Sequence, residues 1–202
     1  MYQLYFNPPK SSWSLRIWIL LKELNISFEP KIVRYLDDLN EQHKQFKNFS
    51  PTAKIPVLHA NGVIIWDSLA ITEFLAESYP QIWAEDKIVR AWSRSACAEM
   101  HSGFEHLRNI CNFDPLAHTP LTEVPRVLEL ELERLNELLQ QGLIQFGGNF
   151  LAGERFTAVD AFFVPVMLRI RTYDLHRYFS PQVLKYQDRI LSLETLKMWL
   201  ES

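Results

Sequence analysis

The sequence predicts an α/β unit at the N-terminal end followed by an all-helical half. Strand and helix patterns alternate from Tyr2 to about Tyr79; from Asp86 onward the strand patterns vanish and the apolar repeats have helical spacing. A chain of 202 residues with 48% hydrophobic side chains can hold one large domain or two small ones.

Residues 2–6 read as a strand and 15–24 as a helix that is apolar on nearly every side. Residues 28–33, rich in β-favouring side chains, complete a βαβ unit and predict two parallel strands. After a polar stretch, 37–49, two apolar runs at Pro56-Val57-Leu58-His59 and Val63-Ile64-Ile65 flank Ala60-Asn61-Gly62, a turn signal that makes them a hairpin. A mixed four-stranded sheet results. Asp67-Ser68 then opens a segment with Ile71, Phe74, Leu75 and Tyr79 on one helical face, which Pro80 stops.

The change in composition places the α/β unit at 1–79, a linker at 80–87 and the helical half at 88–202. A helix is predicted from Ile88 to about Leu107, and a leucine stripe (Leu128, Leu132, Leu135, Leu139) predicts a second over 122–143. Thr157-Ala158-Val159-Asp160 is a capping box with Asp in place of Glu or Gln, ahead of an apolar helix, so Thr157 and Asp160 are expected to be buried and structural. Ser180-Pro181 and Ser192 mark two further helix starts.

The net charge of −3 comes from well-mixed acidic and basic residues, without a basic block to neutralise a row of phosphates, which argues against a nucleic-acid partner. No apolar run is long enough to cross a bilayer, and the N-terminus reads as a strand instead of a signal peptide. Cys97 and Cys111 form no CxxC pair and no metal-ligand spacing with the histidines, so no metal is expected and a reducing cytoplasm fits.

Three stretches bear chemistry. Ser11-Ser12-Trp13-Ser14 precedes the first helix, where a hydroxyl serves either as an N-cap or, with the helix N-terminus, as a holder of negative charge. Ile55-Pro56 enters a strand, with a proline that is either an ordinary trans edge residue or a cis bond presenting the Ile55 backbone to an extended peptide. Asp67-Ser68 is either a good cap or a match to an α-amino-acid head group, the serine and helix end taking the carboxylate and the aspartate the ammonium.

Together, in this order and ahead of an all-helical half, these stretches resemble the soluble glutathione transferases, over essentially the whole chain. The resemblance extends to Phe150-Leu151-Ala152-Gly153 ahead of the capping box. It implies a thioredoxin-like glutathione-binding domain and a helical domain lining an electrophile pocket. Glutathione is then the co-substrate, a hydrophobic electrophilic small molecule the second substrate, the assembly a homodimer and the role detoxification. Counting back five residues from Arg16 gives Ser11 as the thiolate donor, with Ser12 as the neighbour able to replace it. Ile55 before Pro56 is implied to pair with the cysteinyl part, Lys54 to meet the glycyl carboxylate, and Asp67 and Ser68 to hold the γ-glutamyl end.

The Ser-Ser-x-Ser pattern is nearest to the zeta, theta and tau classes. Zeta-type enzymes, maleylacetoacetate isomerase among them, carry Cys where this chain has Trp13, a departure that speaks against the isomerase and for serine chemistry; conjugation is the resemblance's main implication, with zeta-like isomerase or glutathione peroxidase activity as alternatives. Met100, His101, Phe104 and Arg108 recur at helical spacing and are either pocket lining or core. Arg169, Arg171 and Tyr173 face either an acidic substrate or solvent. The rival readings are a noncatalytic interaction module or ligand carrier of the same fold.

Overall fold

The computed structural model describes all 202 residues. One sheet has the order β2-β1-β3-β4, with β1 at Tyr2–Phe6, β2 at Phe28–Ile32, β3 at Val57–Ala60 and β4 at Val63–Trp66. The central strand β1 runs parallel to β2 and antiparallel to β3, so that Leu4 sits between Pro30 and Leu58. Pro30 has no N–H to give, and it lies on an edge strand where none is needed. Asn61 and Gly62 have φ of 51° and 87°, the two left-handed residues that a tight hairpin demands. This is the mixed four-stranded sheet that the sequence predicts.

Helix α1 (Ser12–Glu23) is buried throughout Ser14 to Leu21. The polar stretch at 37–49 contains an unforeseen helix, α2 (Leu39–Lys47), whose start is capped by Asp38 Oδ1 accepting from Asn40 N and Glu41 N at 2.8 and 3.2 Å. Only Phe46 of α2 is buried, so it has no apolar stripe to read. Helix α3 spans Ser68–Ala76 and is followed by a short 3-10 turn, Pro80–Ile82.

The helical half differs from expectation at three boundaries. Helix α4 (Lys87–Ser102) stops well before Leu107. At Gly103 the chain passes so close to α4 that a Cβ would lie 2.9 Å from Glu99 O, and Phe104 is left-handed (φ 57°), so α5 (Glu105–Ile110) starts afresh. Helix α6 (Arg126–Phe146) begins at the residue after Pro125 instead of at 122. Ser180 caps α8 (Pro181–Leu191) as predicted, whereas Ser192 closes α8 and Leu193 precedes α9 (Glu194–Leu200).

Helix α7 (Ala158–Thr172) is buried at every position but Arg171. One apolar core continues from Leu4 through α1 and α7 to Trp199, whose ring lies 5.8 Å from Phe6 and 5.2 Å from Trp18. The α/β unit and the helices therefore share a core.

The capping box holds α7 in place. Asp160 Oδ2 accepts from Thr157 N at 2.9 Å, and Asp160 Oδ1 accepts from Leu151 N and Tyr186 Oη at 2.9 and 3.1 Å. Asp160 thus ties the preceding loop and α8 to the start of α7, and both it and Thr157 are buried, as expected. Burial outweighs these donors and holds the carboxyl up at about 6. With the folded value above the unfolded one, the folded state retains a proton that the unfolded state releases, so stability falls as pH rises from about 4 to about 6 and is level beyond. The expected penalty is on the order of 3 kcal/mol. Asp160→Asn lacks this titration, and denaturant titrations of both proteins between pH 4 and 7 should show their stability difference changing across that window. A constant difference contradicts it.

Candidate functional site

The first turns of α1 and α3 border one cavity of about 470 Å³. Trp13 comes from α1, Lys54, Ile55 and Pro56 from the segment entering β3, and Asp67 and Ser68 from the start of α3. Thr52 and Trp66 complete the wall.

The approach to β3 is built around the buried Ser50, whose Oγ donates to Lys54 O at 2.7 Å and accepts from Lys54 N at 3.2 Å. The Ile55–Pro56 bond is cis, as is Pro8–Pro9. Neither the N–H nor the C=O of Ile55 makes a hydrogen bond within the chain, an unusual state for nearly buried main-chain groups.

Asp67 has φ 76° and caps α3, its Oδ1 accepting from Leu69 N at 2.8 Å and Ala70 N at 3.4 Å. Its other oxygen lies 3.1 Å from His101 Nε2 on α4. Burial lowers the His101 pKa below its ordinary value, against the pull of Asp67, so the imidazole is neutral at pH 7. Ser68 Oγ is buried and has no hydrogen-bond partner.

Trp13 stands between this cavity and a group of cations. The Arg16 guanidinium carbon lies 4.3 Å from the centre of its ring and that of Arg108 4.8 Å, while His101 meets it edge-on at 5.2 Å. Ser11, only 3% exposed, is the N-cap of α1, its Oγ accepting from Ser14 N at 3.2 Å. Ser12 is half-buried at the first position of the helix. Neither serine is among the residues that line the cavity. No three His, Cys, Asp or Glu side chains come together to hold a metal.

Residues 10–78 match the family model described as Glutathione S-transferase, N-terminal domain. Over that stretch the chain is similar to the N-terminal domain of the glutathione S-transferases. Its probable maleylacetoacetate isomerase 1 relative from Drosophila melanogaster is 24% identical over 94% of this chain and 77% of that protein. Among solved structures, glutathione transferase F2 from Populus trichocarpa covers 100% of this chain and 98% of its own at TM-score 0.73 and 22% identity. A Burkholderia glutathione transferase homologue with bound glutathione covers 99% and 96% at TM-score 0.69 and 21% identity. The whole chain has the glutathione transferase fold.

Within that fold, Lys54, Ile55, Pro56, Asp67 and Ser68 converge on one cavity, whereas Ser11 and Ser12 sit beside it. The electrophile-pocket set does not form a single face. The break at Gly103 separates Met100 and His101 from Phe104 and Arg108, and Met100 and Phe104 are core residues. Arg108 turns back across the break, its Nε donating to Gly103 O at 3.2 Å and its Nη2 to Met100 O. Arg169, Arg171 and Tyr173 donate to the carbonyls of Cys111, Pro115 and Asn112 at 2.8, 2.7 and 2.8 Å. Sequence reasoning also missed Thr52, Trp66 and the arginine contacts of Trp13, since none of them lies in a spaced motif.

Asp67→Asn keeps an oxygen for the α3 cap and a residue that tolerates positive φ, so its thermal unfolding should lie within about 0.5 kcal/mol of wild type. Asp67→Ala loses the cap and strains the backbone, and should cost roughly 1–2 kcal/mol. Equal losses in the two variants would contradict the capping role.

Proposed function

We propose that the protein binds glutathione in this cavity and transfers its thiol to a small electrophile. The observation that carries this reading is the unmet main-chain N–H and C=O of Ile55, placed in one wall with the unmet hydroxyl of Ser68. An extended peptide satisfies the first pair in the manner of an added strand, and a carboxylate satisfies the hydroxyl at the N-terminus of α3. The cysteinyl unit pairs with Ile55, the γ-glutamyl carboxylate with Ser68, its ammonium with Asp67, and the glycyl carboxylate with Lys54. The sulfur then faces the start of α1.

A free thiol with a pKa near 8.5 is mostly protonated at neutral pH, so the site has to favour the thiolate. Ser11 Oγ accepts from Ser14 N and keeps its own proton to donate; Ser12 is the alternative donor. The thiolate lone pair forms a C–S bond at an electrophilic carbon, and the leaving group departs with its bonding electrons. The isomerase name of the Drosophila relative supports a second reading, in which the thiolate adds to a conjugated double bond and later leaves again. A thiol co-substrate and the free cysteines Cys97 and Cys111 fit a cytoplasmic setting. The apolar side chains exposed on β4, Val63, Ile64 and Trp66, suit the homodimer.

Calorimetry at millimolar glutathione should detect binding, weakened roughly tenfold or more in Asp67→Asn through loss of a charged partner for the ammonium. Turnover of a generic aryl halide should drop in Ser11→Ala or Ser12→Ala with little change in affinity. Absence of binding refutes the reading and favours a noncatalytic carrier or interaction protein. Unchanged turnover in both serine variants removes the hydroxyls from the mechanism.

A further inference from the structure

Arg16 is 2% exposed, and its Nε and Nη1 are buried without any hydrogen-bond partner. Its neighbours are ring faces, Trp13 at 4.3 Å and Phe162 at 4.7 Å. Arg108 rests on the same Trp13 ring at 4.8 Å, and neither arginine forms an ion pair with a carboxylate. A buried guanidinium remains charged at neutral pH, and leaving one without an anion is costly. Burial, with Arg108 as the next cause, lowers the Arg16 pKa only to about 9. Of the three residues in this stack, Trp13 is the one that borders the cavity.

We propose that Arg16 and Arg108, stacked on Trp13, supply the positive charge that stabilises the thiolate of glutathione in this cavity. The inference rests on the glutathione reading above and adds the electrostatic source. The sulfur of a cysteinyl unit paired with Ile55 faces the start of α1, where Trp13 presents the field of both cations across a dry ring. The S–H proton passes to solvent; no other bond changes. Ser11 and Ser12 lie off the cavity wall, so the hydroxyl becomes the smaller contribution.

The charges around the stack agree in sign. Arg169 on α7 adds a third guanidinium, its Nε and Nη1 spent on the carbonyls of Cys111 and Pro165. Cys97 on α4 is buried with its pKa raised, above all by desolvation, and is neutral. His101 is neutral at pH 7 and occupies one oxygen of Asp67, and the α3 N-terminus occupies the other. Glu131 on α6 also acts on Arg108, but its oxygens accept from His106 N and Leu107 N at 3.1 and 2.8 Å. Lys54 lies on the cavity wall and adds positive charge. Asp67 is the one carboxylate among the residues that line the cavity, against Lys54 on the wall and the two guanidiniums on Trp13.

The ultraviolet absorbance of enzyme-bound thiolate, followed against pH, reads the effect directly. In Arg108→Met the bound thiol should titrate about one pH unit higher than in wild type, a tenfold loss of thiolate well below its pKa. Calorimetry at a pH well below the bound thiol's pKa, where both proteins hold the protonated ligand, should show glutathione affinity changed by less than about threefold, since no backbone or carboxylate contact is touched. Arg108→Lys keeps the charge and should titrate near wild type, which a merely structural role for Arg108 does not predict. A wild-type titration in Arg108→Met, or a shift found only in Ser11→Ala, overturns the proposal while leaving the glutathione reading in place. Failure of the wild type to bind glutathione overturns both.

Discussion

Eight consecutive residues of α1, Ser14 to Leu21, are buried, and one of them is an arginine. A helix covered on all sides has to lie between two layers, and α1 does so, with the sheet next to it and α7 across from it. Seven of the eight are apolar or small. Arg16 is not, and the arrangement around it follows from that need: Phe162 of α7 offers one ring face, Trp13 another, and the indole reaches back to the cavity. On the proposal above, the residue that sets how α1 meets the helical half also contributes to the electrostatics of the site.

Asp67 carries a comparable double load. Its φ of 76° is uncommon for a residue with a side chain, and the surrounding structure maintains it. One carboxylate oxygen caps α3 and the other reaches His101, so the aspartate joins the α/β unit to α4 before any ligand arrives. An ammonium bound there has to share Asp67 Oδ2 with a neutral imidazole or displace it. If glutathione binds as proposed, its γ-glutamyl end and the contact between the two parts of the chain are linked through one oxygen.

The features legible in the sequence are those written over a few neighbouring residues. Asn61-Gly62 dictates its own turn, Asp67-Ser68 its own helix start, and Thr157 with Asp160 its own cap. Their convergence was legible only through resemblance, because nothing in the spacing of Ile55 and Ser68 says that they share a wall. Helix α2 escaped notice because it buries a single side chain, and the break after α4 because helical spacing runs straight through Gly103 while the backbone there approaches Glu99 O. The arginine stack escaped for a deeper reason. Arg16, Arg108 and Trp13 come from two distant segments, and a cation on a ring face leaves no pattern in composition or periodicity.

Trp13 shows how one departure reorganises a site. Where zeta-type relatives are expected to carry a small, nucleophilic cysteine, an indole occupies much more room and offers a face to each of two guanidiniums. A cysteine at this position has no ring to hold Arg108, so the cation and the tryptophan have to be kept together. On the proposal above, the indole serves as a conduit for positive charge at the cavity wall. The chain's similarity to the Drosophila protein and the proposed role of Trp13 are compatible on this view. Both proposed reactions begin from a thiolate, and on the proposal above Trp13 bears on how that thiolate is stabilised.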